Sequence, residues 1–412
     1  MADAAGRGQP VDNPFVVHRR SLDVYRHALA LGLDDDRYVE LTLEADERIA
    51  AVDGVGFTVT PIVEFDVEGT GVLAKVETGA PSGSHKARHL FGLLLRILVD
   101  EATAPGSGRR PDLAIASCGN AALGAAVVAR SANRHLRVFV PDGADGAVLA
   151  RLGVLGADVV VCHRSPGQIG DPCVERLDEA VTAGALPFTV QGTRCPDVID
   201  GARTLGLELA DQLVERGVTV GSLFVQIGGG ALATATMDGV ARAPSSPRLR
   251  LHPVQALAAH PYVAGWRRLA AAALSELGAP DPGTDRARAE LLERLLADED
   301  LPAVLRHHRA AMTPWPGTPH SVASGILDDE TYDWATVMAH MVRSGGWPVL
   351  VGEGTFVDAA ELAAGAVAPP PDATGAAGLA GVLHCIRSGD PDGAVGERTP
   401  VVLLTGVDRR VG

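Results

Sequence analysis

The sequence predicts an α/β protein built on open, largely parallel sheets. Between residues 111 and 255 short apolar runs alternate with longer helical stretches, the mark of βαβ units. At 412 residues the chain is too long for one compact core, so two domains or one elaborated domain are expected. Hydrophobic residues make up 46 % and charged residues 21 %, which sets it among folded, well-cored proteins rather than disordered ones.

Taken in order, residues 1–12 read as a loose tail. Residues 21–51 space charged positions around Leu and Val in a helical pattern. Residues 59–65 read as a strand interrupted by Pro61, and 72–77 as a second strand. The run HLFGLLLRILVDEA after Lys86 is apolar on most sides and predicts a buried helix. Strands follow at 113–117 (LAIAS), 136–141 (LRVFVP), 158–162 (DVVVC), 187–190 (PFTV), 222–227 (SLFVQI) and 248–255 (RLRLHPVQ). Helices separate them at 120–131, 147–155, 171–183, 201–216 and from the glycines after 227 to about 240. Residues 262–310 break the rhythm. They are Ala/Leu/Arg/Glu-rich and helical, with an interruption at GAPDPGTD, and read as an insertion serving as a lid or a subunit contact. WPVLVGEG and VVLLTG read as late strands, 356–364 as a helix and 393–398 as a loop, and no internal repeat is seen.

Composition excludes several function classes. The net charge is −15 and no basic run could track a phosphate backbone, so nucleic acid is not an expected partner. No apolar stretch is long enough to span a bilayer, and MADAAGRGQPVDNPF lacks the apolar centre of a secretory signal. Cys118, Cys162, Cys173, Cys195 and Cys385 are scattered without a C-x-x-C pair. They read as free thiols in a reducing cytoplasm, not as a disulfide framework or a metal site, with Cys118 expected to be buried filler. His307-His308 are helix neighbours that point to different faces, a poor start for a metal site.

Of the 36 basic residues only two are lysines, Lys75 and Lys86. Arginine stays charged and forms no imine, whereas an amine in an apolar site loses its proton and attacks a carbonyl. Lys86 ends the run TGAPSGSHK and enters a helix. Two further junctions join a strand end to a helix start, where free N–H groups favour anions: SCGN (117–120) after LAIAS, and GGGAL (228–232) after SLFVQI. The glycine loop is a phosphate-cradle candidate, although it lacks both the G-x-x-x-x-G-K-[ST] and the G-x-G-x-x-G spacings. The SCGN turn is suited to a carboxylate, with Asn120 donating to a neighbouring oxygen; read alone, it is also a plain helix cap. Together the three places supply an amine, a phosphate cup and a carboxylate turn, the set that pyridoxal phosphate and an amino acid need.

In that order the motifs resemble the fold-type-II (tryptophan synthase β-like) pyridoxal-phosphate enzymes, which include threonine synthase, threonine and serine dehydratases and cysteine synthase. KVETGAPSGSHKAR resembles the family's lysine motif, SCGNAALGAA its Asn turn, GARTLGLELADQL its G-x-x-T-x-x-x-E helix and QIGGGAL its phosphate loop. HSVASGILDD, PDATGAAGLAGV and VVLLTG are similar to later segments of the threonine synthase and dehydratase branch. The resemblance implies two open twisted α/β domains with the cofactor in the cleft between them. Residues 1–84 and 188–412 would form the large domain, 85–187 a small mobile one, and 262–310 the helical insertion. It implies Lys86 as the imine-forming and proton-moving residue and Asn120 at the cofactor's phenolic oxygen. Gly228, Gly229, Gly230, Ala231 and Leu232 would hold the phosphate, and Thr405 would meet the ring nitrogen. Ser117, Cys118 and Gly119, with Asn120, would hold the substrate carboxylate. A homodimer is also implied.

Four positions depart from the family pattern: Ala87 replaces an acidic residue, His85 an aromatic, Ala121-Ala122 the usual second half of the Asn turn, and GGGA four glycines. A neutral hydroxyl at the ring nitrogen makes a weaker electron sink than a carboxylate partner would. It favours β-elimination or β-replacement on a small hydroxy- or O-activated amino acid over transamination. Threonine synthase activity on O-phosphohomoserine is the first alternative. It requires further cations for a second phosphate, with Arg88, Arg194 and Arg203 as candidates and surface charge as their plainer reading. A non-catalytic amino-acid-binding relative is the second alternative. A nucleotide-dependent oxidoreductase is disfavoured by the missing G-x-G-x-x-G.

Overall fold

A computed structural model of the chain describes residues 12–104, 110–165, 170–396 and 398–409, so the expected N-terminal tail lies almost wholly outside the described residues. Two sheets organise them. The larger contains β1 (Ile62–Val67), β2 (Thr70–Val76), β7 (Val220–Gln226), β8 (Arg248–Ala256), β9 (Val349–Val351) and β10 (Thr399–Leu404), in the order β1-β2-β10-β7-β8-β9. The smaller contains β3 (Leu113–Ala116), β4 (Leu136–Pro141), β5 (Asp158–Cys162) and β6 (Leu186–Pro187), in the order β5-β4-β3-β6. All pairings are parallel except β1 with β2. That hairpin turns through Glu68 and Gly69, both at positive φ (51° and 86°), as a two-residue turn between twisted strands requires.

Alternation along the central strands builds two cores. Val401 and Leu403 of β10 join a cluster with the helices Lys86–Thr103, Val198–Glu215 and Ala231–Arg242. Val402 and Leu404 join the opposite cluster, with Glu353–Ala366 and Ala377–Arg387. The first three helices press together through glycines. A methyl group on Gly92 would lie 2.6 Å from the Gly201 Cα, and one on Gly206 would strike the Thr236 carbonyl. The backbone of the Lys86 helix therefore rests directly on its neighbour.

Beneath that contact lies a buried charge cluster. Arg88 Nε donates to Glu77 Oε2 at 2.7 Å, and Arg88 Nη1 donates to Glu208 Oε1 at 2.5 Å and to Thr204 Oγ1 at 3.0 Å. Lys75 Nζ donates to the Thr60 carbonyl, Glu208 Oε2 and Gln212 Oε1 at 2.6, 2.6 and 2.9 Å, which satisfies its three N–H groups. The G-x-x-T-x-x-x-E pattern thus has a structural explanation: Gly201 admits the Lys86 helix, while Thr204 and Glu208 bind its Arg88. This placement also corrects the reading of Arg88 as a surface or second-phosphate residue, for it is fully buried in ion pairs.

The other differences are local. The expected 21–51 helix is two helices, Asp23–Ala30 and Asp35–Asp53, separated at Gly32 (φ 90°) and restarted by the Asp34 cap on the Arg37 N–H. The 187–190 strand contracts to Leu186–Pro187 at a sheet edge, where the Pro187 nitrogen has no hydrogen to donate. Trp334–Arg343, not expected as a helix, packs beside β8. Between β8 and β9 the helices Pro261–Glu276, Asp285–Leu295 and Leu301–His307 fill the irregular stretch.

Candidate functional site

Lys86 is the first residue of its helix, and the turn before it is shaped for the purpose. Ser82 and Gly83 both take positive φ (60° and 69°), and the Ser82 N–H is held by Asp53 Oδ2 at 2.7 Å. The turn is pinned to the closing strand. His85 N–H donates to the Thr405 carbonyl at 3.3 Å, Val407 N–H to the Gly83 carbonyl at 2.9 Å, and Ser84 bridges Gly406. The His85 imidazole is buried with both nitrogens unpartnered. Burial, then the nearby Lys86 charge, presses its pKa well below the ordinary value, so it serves as a neutral ring.

Lys86 is half-buried. Burial pulls its pKa below the usual lysine value, while Asp328 and Asp333 pull the other way. The helix Asn120–Ser131 closes against its backbone, since a methyl on Gly124 would stand 3.3 Å from the Ala87 nitrogen. That contact brings the SCGN turn beside Lys86. Gly119 opens the helix with no side-chain cap, and Ser117 Oγ lies 3.5 Å from the Gly119 nitrogen. Cys118 is exposed, which corrects the expectation of buried filler. Asn120 Oδ1 accepts from Arg409 Nη2 at 3.0 Å.

The glycine loop follows β7. Gly230 has φ 98° and opens the helix Ala231–Arg242, again with no side-chain cap, so the first N–H groups of that helix point outward unclaimed by side chains. Ala231 and Leu232 are buried in its first turn, and the Thr234 hydroxyl one turn in is a buried group without a partner. The segment 328–333 covers the loop. Asp333 N–H donates to the Gly229 carbonyl at 2.8 Å, and a methyl on Gly228 would run into the Asp328 carboxylate. Burial raises Asp328 to about 6, Lys86 and the Gly229 N–H opposing and Asp329 and Asp171 adding to the rise. Asp333 is also raised to about 6, by burial, against the Gly192 N–H and Lys86.

Thr405 is buried at the end of β10, where Gln226 Nε2 donates to its hydroxyl at 2.7 Å. The same nitrogen lies 3.3 Å from the Gly375 carbonyl, which fixes which end of the amide is NH2. The Thr405 oxygen is therefore an acceptor toward Gln226 and keeps its own proton free to donate elsewhere.

Lys86, Thr405 and Asn120 thus gather around one turn, and Asp328 joins the glycine loop to Lys86. The donor set fits pyridoxal phosphate: an uncapped helix start for the phosphate, a partly desolvated amine for the aldehyde and a hydroxyl donor for the ring nitrogen. Arg194 and Arg203 do not join the set. Arg194 pairs with Asp178, and Arg203 with Asp23, Asp200 and Asp238. Among the described residues no group of three metal-ligand side chains gathers. Sequence reasoning missed Gln226, Asp328, Asp333 and Arg409. Gln226 opens QIGGGAL and Asp328 lies in HSVASGILDD, so these two carried a signal; Asp333 and Arg409 did not.

A family signature described as pyridoxal-phosphate dependent enzyme matches residues 55–406. No curated protein matches the chain significantly. Diaminopropionate ammonia lyase from Escherichia coli superposes with a TM-score of 0.62 at 16 % identity, over 91 % of this chain and 90 % of that one. Threonine deaminase isoform 2 from Solanum lycopersicum gives 0.59 at 16 %, over 92 % and 91 %. Maize serine racemase gives 0.58 at 19 %, over 90 % and 94 %. At such identities the likeness speaks for the two-domain α/β fold. The signature, running from just before β1 to the end of the closing strand, speaks for descent: the chain belongs to the pyridoxal-phosphate dependent enzyme family.

Proposed function

We propose that this pyridoxal-phosphate enzyme carries out β-elimination or β-replacement on a small hydroxy- or O-activated amino acid, as an ammonia-lyase or a synthase. The observation that carries the reading is the Thr405 hydroxyl, held as an acceptor by Gln226 with its proton left to donate. A neutral donor placed at the ring nitrogen would leave that nitrogen unprotonated and would weaken the prolonged carbanion stabilisation that transamination needs. The cofactor supplies the electron sink that loosens bonds at the substrate Cα. Lys86, whose pKa burial lowers, takes the Cα proton and returns one to the leaving group. The Ser117 hydroxyl and the turn at Cys118 and Gly119 hold the substrate carboxylate. The amides of Gly228, Gly230, Ala231 and Leu232, with that of Gly229 once the Asp328 carboxylate releases it, would hold the phosphate, and the Asn120 amide would orient the phenolic edge.

The threonine synthase branch is the weaker reading. A second phosphate needs cations, whereas Arg88, Arg194 and Arg203 are committed elsewhere and Asp328 and Asp333 face the cleft. The named neighbours include an ammonia lyase and a deaminase, in keeping with elimination. The small domain at 85–187, mobile against the remainder, would exclude water by closing; a homodimer is proposed on the family resemblance and a cytoplasmic location on the scattered, unpaired cysteines. No helix among the described residues is long and apolar enough to cross a membrane.

The test mixes cofactor-loaded protein with L-serine, L-threonine, O-acetyl-L-serine and O-phospho-L-homoserine and measures keto acid, ammonia and replacement product. Elimination or replacement on one of the first three is expected. Turnover by transamination alone would overturn the proposal.

A further inference from the structure

We propose that Arg409 is a positioning residue for the cofactor site, holding the Asn120 amide with its NH2 end turned into the cleft and tying the Asn120 helix to the closing strand. The proposal rests on the reading that Asn120 meets the bound cofactor. Arg409 Nη2 donates to Asn120 Oδ1 at 3.0 Å and to the Ser82 carbonyl at 2.6 Å. A guanidinium has no acceptor, so the atom it meets on Asn120 must be the oxygen, and Nδ2 is left as the free donor. That nitrogen lies against Gly406, where a methyl group would stand 2.8 Å away, next to the Thr405 hydroxyl's own residue. Without the arginine, rotation of the amide by half a turn would present an acceptor where a donor is needed.

Main-chain pairing delivers Arg409 to this place. Val407 N–H donates to the Gly83 carbonyl at 2.9 Å and Asp408 N–H to the Pro370 carbonyl at 2.8 Å, so the residues just before Arg409 are stitched to two loops. Asn120 follows β3 of the four-stranded sheet and Arg409 follows β10 of the six-stranded sheet. One side chain thus bridges both sheets and the turn that precedes Lys86. It touches no reacting atom, and its effect passes through Asn120.

The experiment compares Arg409→Ala, Arg409→Lys, Asn120→Ala and the Arg409→Ala/Asn120→Ala double variant, each loaded with pyridoxal phosphate. It reads the visible absorption band and its pH titration, the cofactor Kd and the thermal midpoint. Arg409→Ala is expected to weaken cofactor binding about tenfold, the worth of a charge-assisted hydrogen bond, and to move the band in the same direction as Asn120→Ala. The double variant is expected to be no worse than the more affected single one. Arg409→Lys, still a donor to Oδ1, recovers part of the loss. An unaltered spectrum and Kd in Arg409→Ala, additive effects in the double variant, or a lower thermal midpoint alone would overturn the proposal. Lys86→Ala is the control. Persistence of the visible band there sinks the underlying cofactor reading, while its loss beside an unchanged Arg409→Ala spectrum sinks the Arg409 proposal alone.

Discussion

Replacing Asp328 with Asn should stabilise the cofactor-free protein, and only at a pH where the carboxyl is ionised. Burial raises this group from 3.8 to about 6. A rise of about 2 units is worth about 3 kcal/mol, the penalty for keeping the charged form in the folded protein. The folded chain holds the proton up to about pH 6, whereas the unfolded chain releases it near pH 4. Stability from this group is therefore complete below about pH 4 and is lost as pH rises through 6. Asparagine keeps the shape and an acceptor for the Gly229 N–H but never ionises. After allowance for solvent screening at a half-buried position, a gain of about 2 kcal/mol at pH 8 is expected, shrinking toward zero as the pH approaches 4. Urea denaturation of wild type and variant at several pH values between 4 and 8 measures it. Removing the carboxylate also removes a like charge beside the phosphate cup, so pyridoxal phosphate should bind more tightly at pH 8 while pyridoxal, which lacks the phosphate, should not. A variant no more stable than wild type at pH 8, or equally stabilised at every pH, would refute the reasoning.

Three further outcomes are expected. Lys86→Ala should lower turnover by roughly 10²–10⁴-fold, the usual worth of a positioned proton-transfer group, read as steady-state keto acid formation. Gly201→Ala drives a methyl into the Arg88 carbonyl and the Gly92 backbone. It should cost about 1–3 kcal/mol in denaturant unfolding, with a loss of cofactor affinity because the Lys86 helix must shift. Lys75→Met leaves Glu208 short of one buried partner and should lower stability by about 3–5 kcal/mol while sparing the cofactor spectrum.

Much of the scaffold was legible in the sequence because its elements are simple. The helix Asn120–Ser131 and the strands Leu136–Pro141 and Asp158–Cys162 fall where their apolar periodicity placed them. The glycine loop and the Lys86 turn stood out because each joins a strand end or turn to a helix start. What stayed hidden was long-range chemistry. Asp328 and Asp333 lie about a hundred residues beyond the loop they cover. Asp328 falls in the HSVASGILDD segment, but its place over the glycines is set by the fold, and Asp333 stands outside every segment read. Arg88 read as surface charge because its partners, Glu77 and Glu208, are set by helix packing rather than by spacing. Arg409 sits in a short run after the last strand, and the long-range pairings of Val407 with Gly83 and Asp408 with Pro370 give it a target. The helix Trp334–Arg343 went unread although Asp333, a residue type favoured at helix starts, precedes it; in the structure that side chain makes no capping hydrogen bond.

The scarcity of lysine has a practical consequence for labelling. Lys75 is sealed among three acceptors, so the folded surface presents no stray ε-amine to an electrophile. Apart from the α-amine, an acylating reagent or an aldehyde followed by borohydride has Lys86 as its one accessible nitrogen of this kind. Peptide mass mapping after such a treatment would therefore give the cleft's accessibility directly, without a background of surface adducts to subtract.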